Sequence, residues 1–123
     1  MTRPQLQQWL DDYIGAWRTY DSSRIGALFS TGAEYHFNPF GTEPPVRGRD
    51  AIVANWLSER DDPGSWEAHY EPVAVEGNVG VARGRTRYTR DGVLLREFAN
   101  IFVMEFDEEA RCTRFTEHYM ERR

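Results

Sequence analysis

The segment Arg96–Met120, which reads REFANIFVMEF-DEEA-RCTRFTEHYM, constrains the fold more than any other part of the chain. Two long runs rich in aromatic and β-branched residues flank the polar group Asp107–Ala110, the pattern of two strands joined by a four-residue hairpin loop. Such a loop predicts that Phe106 faces Arg111, Phe102 faces Phe115, Asn100 faces Glu117 and Phe98 faces Tyr119. Side chains alternate across a strand, so these pairs share one face. That face is aromatic, with Asn100 and Glu117 set into it. The opposite face of the first strand carries Ala99, Ile101 and Val103. A strand that is apolar on both sides needs cover on both. The chain's own helices supply one cover, and a second subunit is the candidate for the other.

At 123 residues the chain is expected to form a single domain, 1–123, with room for a substantial core. Aromatic residues make up 14%, a load that suits either a dense core or the walls of a cavity. The formal charge of −5 disfavours a nucleic-acid surface. One cysteine, Cys112, allows no internal disulfide, and it has no visible acid or histidine partner for nucleophilic work. No apolar run approaches membrane-spanning length and the N-terminus lacks a signal-type pattern, so a cytoplasmic protein with no membrane partner is the expectation.

The first half reads as helices. Thr2 and Gln5 are spaced as a capping box, and Leu6, Trp9, Leu10, Tyr13, Ile14 and Trp17 follow at helical intervals. Asp21-Ser22-Ser23 recaps a short second helix with Ile25, Leu28 and Phe29 inward. Ala33–Asn38 reads as a short strand entering a Pro- and Gly-rich loop, Pro39 to Gly48. A third helix carries Ile52, Val53, Trp56 and Leu57 on one side and stops at Asp61-Asp62-Pro63-Gly64.

The second half reads as strands. Trp66–Glu76 is irregular at Pro72, which cannot donate to a ladder. Gly77-Asn78 marks a hairpin turn, and Val79–Thr89 follows. Arg90-Asp91-Gly92 reads as a three-residue loop, preferred because it sets Arg85 across from Glu97, with Gly84 opposite Phe98 and Ala82 opposite Asn100. A two-residue loop would set Arg85 against Phe98 instead. Helices first, then a four-strand meander, is an α+β layout with helices on one face of a curved sheet.

Three stretches together carry a family likeness. They are Ala33-x-Tyr35-x-Phe37-Asn38-Pro39-Phe40, then Val46-x-Gly48-Arg49-Asp50-Ala51-Ile52 with Trp56, and the ending Phe106-Asp107-x-x-x-Arg111-Cys112-x-x-Phe115-x-Glu117-x-Tyr119. In order and spacing they resemble the SnoaL-like branch of the nuclear transport factor 2-like, or cystatin-like, superfamily. One departure is Ala110, where the family often has Gly; Ala in a left-handed position costs about 1 kcal/mol.

The resemblance implies a cone-shaped α+β barrel: a strongly curved, mixed or antiparallel sheet wrapped around N-terminal helices, with a pocket at its wide end. It implies a homodimer through the outer sheet face. Trp17, Asn38, Trp56, Tyr88, Phe98, Asn100, Phe102, Phe115 and Tyr119 would then line the pocket. The scaffold hosts isomerases, dehydratases, hydrolases, cyclases and plain binders, so fold leaves function open.

The steroid isomerase branch of the superfamily uses an Asp base before a Pro, a helix Tyr and a protonated Asp on the sheet. Tyr13 matches the tyrosine. The base position falls on Asn38 and the protonated acid on Phe102, and neither side chain can take that role. Glu117 is the remaining acid/base candidate, because a carboxyl among Phe98, Phe102, Phe115 and Tyr119 is desolvated and its pKa rises. The plainer alternative is a structural polar pair with Asn100, Tyr13 or an arginine.

His36, His69 and His118 fall on three strands without ligand spacing, so no metal is expected. Dehydratases of the superfamily use a His pair with an acid, which keeps His69 in view if Pro72 turns it inward. Arg83, Arg85 and Arg87 read as a solvated or subunit-facing row paired with Glu97 and other acids.

The sequence reading is thus a cofactor-free pocket for a small apolar or aromatic molecule, leaning away from catalysis. Two alternatives stand beside it. One is an isomerase, cyclase or dehydratase with Glu117 as acid/base, and Tyr13 plus Asn100 polarising a carbonyl. The other is an interaction domain working through the sheet face.

Overall fold

The computed structural model describes residues 1–123. Helix α1 spans Arg3–Thr19, α2 Ser22–Ala27 and α3 Arg49–Ser58. The strands are β1 Phe29–His36, β2 Val46–Arg47, β3 Trp66–Glu76, β4 Val79–Arg90, β5 Val93–Phe106 and β6 Cys112–Glu121. They form one sheet in the order β2-β1-β6-β5-β4-β3. Only β1 and β6 run parallel, and every other neighbour is antiparallel. The result is the expected cone-shaped α+β fold, with a mixed sheet. It is not closed into a barrel, since β2 and β3 are free edges.

Helix α1 is fixed at its start by the reciprocal bonds of the capping box. The Gln5 N–H donates to Thr2 Oγ1 at 3.2 Å, and the Thr2 N–H donates to Gln5 Oε1 at 2.8 Å. Its buried stripe is Leu6, Trp9, Leu10, Tyr13 and Ala16. Asp21 caps α2 by accepting from the N–H groups of Ser23 and Arg24. Helix α2 ends at Ala27, earlier than the apolar pattern suggests. Leu28 is its C-cap and Phe29 already opens β1, so the first strand begins four residues before Ala33 and stops at His36. The Pro- and Gly-rich loop contains β2, which pairs Val46 with Tyr35.

The β3–β4 turn is the two-residue Gly77-Asn78, and the register slips between Pro72 and Ala74 as the ring's missing N–H requires. The β4–β5 connection corrects the sequence reading. The loop is the two-residue Asp91-Gly92, with φ of 53° and 77°, as a type I′ turn requires. A further slip between Tyr88 and Thr89 places Arg85 opposite Ala99, Gly84 opposite Asn100, Ala82 opposite Phe102 and Arg87 opposite Glu97. Charge complementarity thus operates two residues along from the predicted pair: Arg87 Nε lies 3.1 Å from Glu97.

The β5–β6 register is also displaced. Asn100 faces Tyr119, Phe102 faces Glu117, Met104 faces Phe115, Phe98 faces Glu121 and Phe106 faces Cys112. A slip between Glu105 and Phe106, together with Ala110 at φ 61°, moves the ladder by two residues from the predicted pairing. A two-residue move preserves which side chains share a face. Phe98, Asn100, Phe102, Phe115, Glu117 and Tyr119 therefore remain on one side of the sheet, against the helices.

The narrow end of the cone is solid. Phe102 and Phe115 lie 4.8 Å apart, and Tyr13 and Tyr35 stack on Phe115 from opposite elements. Trp9 anchors α1 by donating its indole N–H to the Leu28 carbonyl at 3.0 Å. No helix is long and apolar enough to cross a membrane.

Candidate functional site

The wide end of the cone holds a cavity of about 430 Å³. That volume falls within the usual range for small-molecule pockets, roughly 300–1,000 Å³. Ten aromatic side chains contribute to its wall, drawn from α1, β1, α3, β3, β4, β5 and β6. Of the residues singled out from the sequence, Tyr13, Trp17, Trp56, Tyr88, Phe98, Asn100, Glu117 and Tyr119 reach this space.

Three do not. Phe102 and Phe115 are packed into the solid end beneath the floor, 1% and 0% exposed. Asn38 shapes the loop instead: its Oδ1 accepts from the N–H groups of Phe40 and Gly41, and its Nδ2 donates to Thr42. An Asx turn of this kind is what Asn before Pro-x-Gly favours.

Glu117 projects from β6 into the cavity and is largely buried. Burial raises its carboxyl to about 7, and only a donor from Asn100 works against that rise. No cationic side chain offsets the cost, so the group exchanges its proton near neutrality. The Asn100 Nδ2–H reaches Glu117 Oε1 at 3.4 Å, the long end of hydrogen-bonding range.

The polar contact does not stop there. Thr86 Oγ1 donates to Asn100 Oδ1 at 2.9 Å, and Tyr70 Oη lies 2.6 Å from Thr86 Oγ1. Thr86 and Asn100 are the only buried polar residues in the chain, 4% and 5% exposed. Their bond to one another satisfies both.

Tyr13 turns its hydroxyl toward Tyr35, 3.4 Å away, rather than toward Glu117. Burial first, and then the neighbouring Tyr35, Tyr70 and Glu117, hold its phenol well above the ordinary value. Tyr35 is raised in the same way, by burial and then by Glu117. Both phenols stay protonated, and within such a pair one hydroxyl proton remains free to donate into the cavity.

The mouth was not legible in advance. Tyr20, Glu59, Asp61 and Arg96 border it, with Tyr35, Phe37, Asn55, Tyr70 and Thr86 deeper in. Trp17 stacks on Trp66 at 3.6 Å and donates to Asp61 Oδ2 at 3.0 Å. The Asp61 N–H donates to Tyr20 Oη at 2.8 Å. Arg96 is bound at two points by Glu121, and its guanidinium sits 4.9 Å from the Phe98 ring.

The histidines lie outside the cavity. His36 contacts Glu34 at 2.9 Å, His69 is exposed on the outer face, and His118 faces outward opposite Ile101. No group of three or more His, Cys, Asp or Glu side chains is placed to hold a metal. Burial pushes the Cys112 thiol far up, and its Sγ–H donates to the Arg114 carbonyl. Arg83 pairs with Glu71, and Arg87 with Glu67 and Glu97, as a surface row.

A model of the SnoaL-like domain matches residues 10–116. The chain belongs to the SnoaL-like family. Solved structures agree on the fold of this SnoaL-like protein. An NTF-2-like protein of unknown function from Burkholderia xenovorans LB400 superposes with a TM-score of 0.69 at 17% identity, covering 94% of this chain and 83% of that one. A protein from Sphaerobacter thermophilus gives 0.67 at 19% identity, covering 91% and 93%. A ketosteroid isomerase-like protein from Erwinia carotovora atroseptica SCRI1043 gives 0.67 at 15% identity, covering 96% and 95%. No curated protein matches the sequence significantly. At these identities the likeness concerns fold, and the chemistry has to be argued from the cavity.

Proposed function

We propose that this SnoaL-like protein binds a small apolar or aromatic molecule in its cavity and anchors that molecule's polar group on Glu117. The observation that carries this reading is one buried carboxyl, Glu117, deep in a largely aromatic hollow whose other charged side chains, Glu59, Asp61 and Arg96, stand at the mouth and do not offset its burial. Rings on nearly every side offer stacking and edge contacts to a flat guest. Native mass spectrometry of the purified protein, followed by titration of aromatic probes against tryptophan fluorescence, tests it. Trp17 and Trp56 border the cavity and report occupancy. Quenching by 1-naphthol that is lost in a cavity-filling Asn100→Phe variant supports the reading. Unchanged fluorescence with every aromatic probe up to millimolar concentration refutes it.

A second reading is favoured by the neutral-range titration of Glu117: cofactor-independent proton transfer of isomerase, cyclase or dehydratase type. Glu117 would take a proton adjacent to a carbonyl, and a tyrosine hydroxyl of the Tyr13–Tyr35 pair would donate to the oxygen. This assigns the donor role to the tyrosines, because the observed Asn100 bonds point to Thr86 and Glu117. Deuterium exchange into a bound cyclic ketone in D2O, abolished by Glu117→Gln, distinguishes catalysis from binding.

The outer sheet face is proposed as a homodimer surface. Ile101 and Met120 are 40% and 75% exposed there, and His118 Nδ1 is buried without a partner. Sedimentation of Met120→Glu as a monomer beside a dimeric parent supports that assembly.

A further inference from the structure

The polar line across the sheet has a direction. Tyr70, Thr86, Asn100 and Glu117 stand one each on β3, β4, β5 and β6. They are linked diagonally: Tyr70 and Asn100 both sit opposite Gly84, and Thr86, two residues along β4, bonds to both. Gly84 makes this possible. A Cβ there would lie 2.3 Å from Tyr70 Cδ1, so the absent side chain is what lets the ring lean across β4 toward Thr86.

Hydrogen counting sets the direction. A threonine has one hydroxyl proton, and Thr86 gives it to Asn100 Oδ1. At 2.6 Å the Tyr70 hydroxyl must then be the donor to Thr86. With Oδ1 committed, the Asn100 amide can present only N–H to Glu117.

We infer that Thr86 and Tyr70 are positioning residues for Glu117: with Thr86 donating to Asn100 Oδ1, they hold the Asn100 amide in the orientation that offers Glu117 a donor. The significance of this lock rests on the cavity being the functional site. If the lock fails, Asn100 can turn over and present Oδ1, which pairs with the protonated carboxyl and not with the carboxylate. The locked line therefore favours the ionised form in a place where burial favours the neutral one. The other titratable groups whose charge couples to Glu117 are phenols: Tyr13 from α1, Tyr35 from β1, Tyr70 from β3 and Tyr88 from β4. Burial holds all four above the ordinary range, so none titrates along with it.

The test is the Glu117 titration midpoint in ligand-free protein, read from its side-chain carboxyl carbon by NMR. Thr86→Val should raise the midpoint by about half a pH unit or more, and Thr86→Ser, which restores the hydroxyl, should return it to the parent value. Tyr70→Phe deletes only the first donor and should move it the same way by less, which also covers a Thr86→Val protein that does not fold. The inference is overturned if the midpoint stays within about 0.2 unit of the parent in the folded variants. It is equally overturned if Thr86→Ser behaves like Thr86→Val. Because no ligand is present, the lock can fail while probe binding survives, and the reverse.

Discussion

Replacing Glu117 by glutamine should make the protein more stable in alkaline solution and leave it nearly unchanged in acid. Glutamine keeps the shape and an oxygen acceptor for Asn100, and removes only the ionisation. In the folded protein the carboxyl titrates at about 7, against an ordinary value of 4.5. Between those values the folded state holds a proton that the unfolded state has released, so stability falls as pH rises through that window. It is fully retained below about 4.5 and fully lost above about 8. A displacement of about two and a half pH units, at 1.36 kcal/mol each, is about 3 kcal/mol.

For a domain of this size that is on the order of 10 °C in melting temperature. Paired urea or thermal unfolding of the parent and Glu117→Gln at pH 5, 6, 7, 8 and 9 isolates the effect, because every other titration cancels in the difference. The gap should open between pH 5 and 8 in favour of glutamine and then level off. A gap that is constant with pH would show that the carboxyl is solvated, and the argument from burial would fall.

Three further outcomes follow from the geometry. Ala110→Gly should add about 1 kcal/mol in urea unfolding, since Ala110 sits at φ 61° where only glycine is unstrained. Gly84→Ala should cost at least about 2 kcal/mol by the same measurement, because the added carbon would lie 2.0 Å from the His69 carbonyl oxygen. Trp56→Ala, which removes a wall that meets Tyr13 edge-on at 5.2 Å, should weaken binding of an aromatic probe at least about tenfold in fluorescence titration.

The faces of the strands were readable from the sequence because alternation tolerates any even error. Asn100 and Glu117 were placed on the same side correctly, although the ladder runs two residues from the predicted register. The registers themselves were not readable, because each is set by a one-residue slip that leaves little compositional mark. The slip at Pro72 announces itself through a missing N–H, whereas those at Tyr88/Thr89 and Glu105/Phe106 do not. Arg85 and Glu97 looked like a cross-strand pair, yet the tight Asp91-Gly92 turn hands that partner to Arg87.

The part of the wall on β5 and β6, Phe98, Asn100, Glu117 and Tyr119, followed from alternation. The mouth did not, since Tyr20, Glu59 and Asp61 come from helix ends and a loop whose directions depend on tertiary packing. Tyr70 and Thr86 carried a usable signal: with Pro72 treated as a one-residue slip, the Gly77-Asn78 turn sets Tyr70 across from Gly84, beside Thr86.

The placement of β6 bears on how the molecule is assembled. The earliest strands, β1 and β2, join the meander only through β6, by the one parallel seam in the sheet. Until a ribosome has delivered β6, the front and back of the chain have no shared ladder, and the hollow between them has no wall carrying Glu117. Long-range parallel closure is slow. A partly synthesised chain would therefore expose the rings meant for the interior, and the site would be among the last parts of the molecule to exist.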